Sequence, residues 1–161
     1  MAIIAYTDGS SLGNPGPGGF GVVLIETEMK VKKEFSRGFR LTTNNRMELL
    51  AVISALEKLK KPKSEITIYT DSRYVCDAVD KKWLFGWEKK SFKGKKNEDL
   101  WRRFLIAYRR HIVHFQWVKG HAGNLLNERA DELAVAAANS SELEIDQGFE
   151  NQEKETNTGL F

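Results

Sequence analysis

Four acidic side chains lie where apolar segments of the sequence begin or end. Asp8 and Asp71 each follow a β-branched and aromatic run that ends in Tyr-Thr-Asp, while Glu48 and Asp131 lie in segments with helical periodicity. Two carboxylates about 4 Å apart repel each other by roughly 4 kcal/mol near a protein surface. If the four converge, cations must offset that repulsion. Oxygen ligands without histidine or thiolate favour Mg²⁺ or Mn²⁺ over zinc.

Such a group of carboxylates predicts hydrolysis at phosphorus. Two divalent ions about 3.5 to 4 Å apart can activate water and stabilise the leaving oxygen of an in-line displacement. A glycine-containing loop near the end of the chain carries His121. Alone, this residue would be an ordinary loop histidine without a role, but together with four carboxylates it is a candidate site residue.

The positions of the acids follow from the elements that the sequence predicts. The runs before Asp8 and Asp71 predict parallel strands, joined through a helix with an apolar stripe. Functional groups in open α/β sheets gather outside the carboxyl ends of such strands, so these two carboxylates should meet. Two alternatives stay open: Asp71 as the N-cap of the next helix, and Asn45-x-x-Glu48 as a capping box.

A basic and aromatic segment occupies residues 81–96, where seven lysines alternate with four large aromatic residues. Trp83 and Trp87 have the spacing of neighbours on one face of a helix. Lysines can neutralise phosphates and flat rings can pack on sugars or bases, so the segment favours a nucleic-acid surface. The alternative is a set of core aromatics with a solvated lysine face.

Charge and composition define the domain organisation. A chain of 161 residues with 41% hydrophobic and 29% charged residues fits one globular domain. From residue 141 onward six acids face one lysine, so residues 1–140 carry a net charge of +8. This favours a polyanionic partner. We predict a catalytic domain over residues 1–140 and an acidic, disordered tail over residues 141–161.

Cysteine use and hydropathy indicate the compartment. Cys76 is the single cysteine, the longest apolar run is short, and the first residues lack the pattern of a signal peptide. We expect a cytoplasmic monomer without a membrane partner.

Several motifs together closely resemble bacterial type 1 ribonuclease H. In chain order they are Thr7-Asp8-Gly9-Ser10, Gly13-Asn14-Pro15-Gly16, Thr43-Asn44-Asn45-Arg46-Met47-Glu48, Thr70-Asp71-Ser72, Trp117-Val118-Lys119-Gly120-His121-Ala122-Gly123 and Asn127-Glu128-Arg129-Ala130-Asp131. The resemblance implies an α/β, ribonuclease H-like fold, with a five-stranded mixed sheet of order 3-2-1-4-5 flanked by helices. It also implies hydrolysis of the RNA strand of RNA/DNA hybrids to 5′-phosphate and 3′-hydroxyl ends.

The same resemblance implies roles for individual residues. Asp8 would bridge two Mg²⁺ ions, Glu48 and Asp71 would complete one metal site, and Asp131 the other, with Mn²⁺ as a substitute. His121 would move protons. Residues implied to bind substrate, or expected to do so from the basic segment, are Asn14, Thr43, Asn44, Asn45, Trp83, Trp87, Lys89, Lys90 and Asn97.

Two other functions are compatible with parts of the sequence. Another polynucleotidyl transferase of the same fold, such as a transposase or integrase core, would lack the Thr-Asn-Asn-Arg-Met-Glu helix start and the basic segment. A binding module without catalysis would not need all four carboxylates.

Overall fold

The structure, a computed structural model, describes residues 2–120 and 123–158. In chain order the elements are β1 (Ile3–Ser11), β2 (Gly16–Glu26), β3 (Val31–Thr42), α1 (Asn44–Glu57), β4 (Glu65–Thr70), α2 (Arg73–Asp80), α3 (Trp83–Lys89), α4 (Glu98–Tyr108), β5 (Ile112–Trp117), α5 (Leu125–Ala138) and α6 (Gln147–Thr158). None of the helices within the described ranges has the length and apolar character needed to cross a membrane.

The five strands form one mixed sheet in the order β3-β2-β1-β4-β5, which confirms the predicted fold. The first three strands form an antiparallel meander, and β4 and β5 run parallel to β1. In the parallel pair Tyr6 is level with Tyr69, and their rings stack with centroids 4.7 Å apart. Asp8 therefore lies beside the carboxyl end of β4, as the repeated Tyr-Thr-Asp runs predict, although β1 itself continues to Ser11.

Apolar side chains cover both faces of the sheet. The larger cluster places Ala5, Val22 and Ile68 with residues of α1 and α4, and the smaller places Tyr6 and Val23 with Ala130 of α5. Successive strand residues face opposite sides, which explains why Ala5 and Tyr6 belong to different clusters. Helix α5 lies so close to β2 that a side chain at Gly21 would collide with the Ala130 carbonyl group.

The N-caps of α1 and α2 are neither Asn45 nor Asp71, the two residues that the sequence left open as caps. The N-cap of α1 is Thr43, whose hydroxyl accepts a hydrogen bond from the Arg46 amide at 3.3 Å. The N-cap of α2 is Ser72, whose hydroxyl accepts from Val75 at 3.2 Å. Asp71 is therefore not the N-cap of α2.

The C-terminal segment is ordered through residue 158, so the prediction of a disordered tail is wrong for residues 141–158. The Glu144 amide donates to the Gly38 carbonyl oxygen at 2.8 Å, and α6 buries Phe149. Arg40 forms an ion pair with Glu150 at 2.7 Å. Three of the six acids that indicated disorder, Glu144, Asp146 and Glu150, have arginine partners in the folded domain, which net charge along the sequence could not reveal.

The central contact of this segment is the buried side chain of Arg46. Its guanidinium donates to Asp146 on one side and Asp99 on the other, at 2.7–2.8 Å. Burial opposes the charge of Arg46, but its hydrogen bonds to Asp99 and Asp146 raise its pKa overall. Burial also acts to raise the pKa of Asp99, and the Arg46 contacts reverse that and lower it. The Thr42 hydroxyl of β3 also donates to Asp146, at 2.7 Å, so the cluster links β3, α1, α4 and the C-terminal segment.

Replacing Asp146 with alanine should destabilise the domain by about 3 kcal/mol, because it removes one partner of a buried ion pair. Chemical denaturation of both proteins measures the loss. Glu142→Ala is the matched control, since Glu142 is an exposed acid of the same segment. Equal stability of the Asp146→Ala variant and the parent protein would show that this segment contributes nothing to the fold.

Candidate active site

Strands β1 and β4, which are neighbours inside the sheet, bring two of the four acids together near the carboxyl end of β4. Asp8 lies level with Gly21 in the β1–β2 ladder and is 6% exposed. Asp71 follows the last residue of β4 and is half-buried. Its backbone carbonyl oxygen accepts a hydrogen bond from the Trp117 indole at 3.1 Å. The two carboxylates meet because the strands are parallel and the pairing of Tyr6 with Tyr69 places Asp8 level with Asp71.

Glu48 reaches this place from α1. Its Oε1 accepts a hydrogen bond from the Gly9 amide at 2.7 Å, across 39 residues of sequence. The capping-box alternative for Glu48 is therefore wrong. Helix α1 lies so close to β1 that a Cβ atom at Gly9 would come within 2.8 Å of the Met47 Cβ, so only glycine fits there. The second oxygen, Oε2, is buried and has no hydrogen-bond partner.

The three carboxylates form a compact group. One oxygen from each of Asp8, Glu48 and Asp71 lies within 4.8 Å of the others. Asp131 of α5 borders the same cavity, whose volume is about 420 Å³, and its carboxyl group acts to raise the pKa of Asp8. The cavity is open to solvent and is lined by Asp8, Gly9, Asn44, Asn45, Glu48, Asp71, Ser72, Arg73, Tyr74 and Asp131.

Burial and like charge make the ionised group unfavourable. Burial raises the pKa of Asp8 well above its usual range, and the neighbouring charges of Glu48 and Asp71 raise it further. Burial also raises the pKa of Glu48, and the charge of Asp71 adds to this, although the hydrogen bond from the Gly9 amide acts in the opposite direction. Both shifts have the direction expected of acids that form no ion pair with a cationic side chain among the described residues.

The donor set fits a hard divalent cation. All of its groups are carboxylate oxygens, which Mg²⁺ and Mn²⁺ prefer. Glu48 Oε2 is a buried acceptor without a donor, and a cation at the cavity would satisfy it. The residues present therefore suit a metal site in which Asp8 lies next to the other three acids.

The predicted asparagine and threonine residues surround the start of α1. Asn14 Oδ1 accepts a hydrogen bond from the Asn44 amide at 3.0 Å, while the side chains of Asn44 and Asn45 remain exposed. The buried Asn97 donates to Tyr74 at 3.0 Å and accepts from Arg46 at 3.3 Å. A second cavity, of about 450 Å³, is lined by Asn14, Pro15, Thr43, Asn45, Lys96, Asn97, Phe149, Gln152 and Glu153.

The basic segment contributes both surface and core. Trp83 is 49% exposed, whereas Trp87 is half-buried, with its ring packed edge-on against Trp101 at 5.8 Å. Both rings line a groove of about 420 Å³ beside the carboxylate cavity, together with Asn45, Arg73, Tyr74, Asp77, Lys95, Lys96 and Asn97. Lys89 and Lys90 are exposed but do not line this groove.

His121 lies outside the described residues, so its prediction is not tested. Arg73, Tyr74 and Trp117 border or support the site and were missed from the sequence. Arg73 and Tyr74 directly follow Asp71-Ser72, and that proximity was the available signal. No sequence pattern indicated that the Arg73 guanidinium would lie over the Trp117 ring, 3.8 Å from its centroid.

Comparison with known proteins identifies the family. The RNase H family model matches residues 1–139. The chain belongs to the ribonuclease H family. It is 48% identical to ribonuclease H of Trichodesmium erythraeum, over 92% of this chain and 96% of the relative. It is 45% identical to ribonuclease HI of Synechocystis, over 92% of this chain and 94% of the relative.

Solved structures agree with this assignment. LC9-RNase H1, described as a type 1 RNase H with the type 2 active-site motif, superimposes with a TM-score of 0.77 and 35% identity, over 86% of this chain and 72% of that one. LC11-RNase H1 in complex with an RNA/DNA hybrid gives a TM-score of 0.66 and 28% identity, over 85% and 96%. The chain is a bacterial type 1 member of the ribonuclease H family.

Neutral replacements of the clustered acids should separate stability from activity. We expect Asp8→Asn, Glu48→Gln and Asp71→Asn each to abolish hydrolysis. Without metal, each should keep or raise the free energy of unfolding, by on the order of 1 to 2 kcal/mol, since relieved repulsion outweighs a weakened hydrogen bond.

Denaturation in EDTA and a hydrolysis assay test this expectation. Asp80→Asn is the control, because Asp80 is an exposed acid of α2 that does not border the cavity. A variant that keeps the parent rate would exclude that residue from the site. If all three replacements clearly lowered the free energy of unfolding, repulsion among the carboxylates would not be what limits stability at the site.

Proposed function

We propose that the protein is an endonuclease that hydrolyses the RNA strand of RNA/DNA hybrids, with two Mg²⁺ ions and 5′-phosphate and 3′-hydroxyl products. The observation that carries this proposal is the convergence of Asp8, Glu48 and Asp71, with oxygens within 4.8 Å of one another. Mn²⁺ can replace Mg²⁺, because both prefer oxygen ligands. The family membership and the hybrid bound to LC11-RNase H1 support the substrate.

Each acid has a separate part in the proposed mechanism. Asp8 would contribute to both metal sites, since it lies next to Glu48, Asp71 and Asp131. The Gly9 amide holds one oxygen of Glu48 and leaves the other free for a cation. When bound, the cations supply an activated water and charge stabilisation at the leaving oxygen. We assign proton movement to His121.

The surfaces on either side of the cavity suit a nucleic-acid duplex. A hybrid duplex presents reachable 2′-hydroxyls in a wide minor groove, and asparagine side chains can both donate to and accept from them. Asn14, Asn44 and Asn45 lie at the edge of the cavities for this contact. Thr43 and Asn97 would hold a phosphate of the DNA strand, and the groove of Trp83 and Trp87 would continue the surface.

Two alternatives fit less well. The family model covers residues 1–139, which favours ribonuclease H over a transposase or integrase core. A binding module without catalysis would gain nothing from buried carboxylates whose charges repel one another. We also propose that the protein is a monomer in the cytoplasm. A single cysteine cannot form an internal disulfide, which is compatible with that reducing compartment.

A substrate panel tests the proposed reaction. RNA/DNA hybrid, double-stranded RNA and double-stranded DNA, each labelled on one strand, are incubated with Mg²⁺, with Mn²⁺ or with EDTA. We expect cleavage of the RNA strand of the hybrid alone, only with metal, and 3′-hydroxyl ends that a polymerase can extend. Cleavage of all three duplexes, or cleavage in EDTA, would contradict the proposal.

Paired lysine variants test which part of the basic segment binds substrate. Lys95 and Lys96 line the groove, whereas Lys89 and Lys90 do not. Replacing Lys95 and Lys96 with alanine should lower the slope of log K against log salt by up to about 0.9 per lost phosphate contact. Replacing Lys89 and Lys90 removes the same charge and should change the slope less. A larger change of slope for the Lys89 and Lys90 variant would show that these two lysines bind the substrate instead.

A further inference from the structure

Arg73 lies where the two main cavities of the site meet. It is the first residue of α2, directly after Asp71-Ser72, and its side chain is exposed. It lines the cavity of the four carboxylates and also the neighbouring groove of Trp83 and Trp87. Asn45 and Tyr74 also line both, so a ligand that extends from one cavity into the other would pass along these three side chains.

The guanidinium of Arg73 is held flat by an aromatic ring. Its central carbon lies 3.8 Å from the centroid of the Trp117 ring, which is a close cation–π contact. The Trp117 indole nitrogen donates to the Asp71 carbonyl oxygen at 3.1 Å, and Trp117 pairs with Thr70 across β4 and β5. The ring on which Arg73 rests is thus fixed to the backbone that carries a site carboxylate.

Arg73 does not neutralise the acids beside it. Within the described ranges, its side chain makes no ion pair or hydrogen bond, although four carboxylates line the same cavity. The charge of Asp77, which also lines the groove, faces Lys81 at 3.7 Å. One face of the guanidinium is covered by Trp117, and its N–H edge is left to bind an anion.

We propose that Arg73, supported by Trp117, binds a phosphate of the cleaved strand next to the phosphate at the carboxylate cavity. The inference rests on the proposed function, because it needs a nucleic-acid strand that crosses the site. Arginine presents a planar set of donors that matches two phosphate oxygens, and stacking orients that plane before substrate arrives. A base is a poorer ligand here, since the indole occupies a face on which it would stack. Arg73 is therefore a positioning residue that directs the strand from the groove into the cavity.

Charge and shape at this position can be varied separately. Arg73→Gln removes the charge, whereas Arg73→Lys keeps the charge without the planar fork. Arg110→Gln is the matched control, because Arg110 is exposed and borders neither cavity. The free energy of unfolding of each variant, measured by chemical denaturation, shows whether the comparison uses folded protein.

Binding of hybrid in EDTA and steady-state kinetics in Mg²⁺ give the two readouts. For Arg73→Gln we expect KM to rise roughly tenfold with a smaller change in kcat, and the salt slope of binding to fall by about 0.9, the value of one phosphate contact. Arg73→Lys should keep the slope and raise KM less. Arg110→Gln should match the parent protein in both.

A phosphate scan locates the contact. Hybrids that carry one neutral methylphosphonate at successive positions of the RNA strand are compared for the parent protein and Arg73→Gln. At the linkage next to the scissile one, the parent should lose about tenfold in binding and Arg73→Gln little more, because the contact is already gone. A parent penalty that persists in the variant at every position would overturn the assignment.

The failure of this inference differs from failure of the proposed function. If the parent protein does not cleave hybrid, the proposed function is wrong. If the parent cleaves hybrid and Arg73→Gln keeps both its KM and its salt slope, Arg73 binds no phosphate and only this inference is overturned.

Discussion

The repulsion among buried carboxylates at the ends of β1 and β4 is the constraint on which the site depends. Asp8 and Glu48 are almost fully buried, and Asp71 and Asp131 lie beside them. Burial and like charge oppose ionisation of such a group, so the fold stores an unfavourable arrangement that divalent cations relieve. In the proposed mechanism the same arrangement would bind the metal, and we expect the loss of any one acid not to destabilise the domain.

A second charged cluster keeps the first in place. Arg46 lies two residues before Glu48 in α1 and is held between Asp99 and Asp146. Thr43 caps the same helix, and Asn14 accepts from the Asn44 amide. These contacts fix the beginning of α1, so that Glu48 can reach Gly9 at 2.7 Å. The C-terminal segment therefore supports the active site from a distance through Asp146.

Local patterns predicted the meeting of Asp8 with Asp71, because a repeated strand ending requires only short-range information and the rule for parallel strands. The order of the five strands came from the resemblance to ribonuclease H. Local patterns failed where a partner is remote in sequence. Glu48 was compatible with a local cap until the fold brought Gly9 to it from 39 residues away. Asp146 was counted as tail charge, although its partner is 100 residues distant. The contact between Arg73 and Trp117 had no sequence signal for the same reason, since Arg73 lies in α2 and Trp117 in β5.

Proton release on metal binding tests the repulsion most directly. Mg²⁺ is titrated into the metal-free protein at pH 7 by calorimetry, in two buffers with different ionisation enthalpies. Because burial and neighbouring charges raise the pKa of Asp8 and of Glu48, the cation must displace protons. The account predicts heats that differ between the buffers, and a smaller difference for Asp8→Asn. Identical heats in both buffers, with Mg²⁺ bound, would mean that the carboxylates are already ionised and would contradict the account.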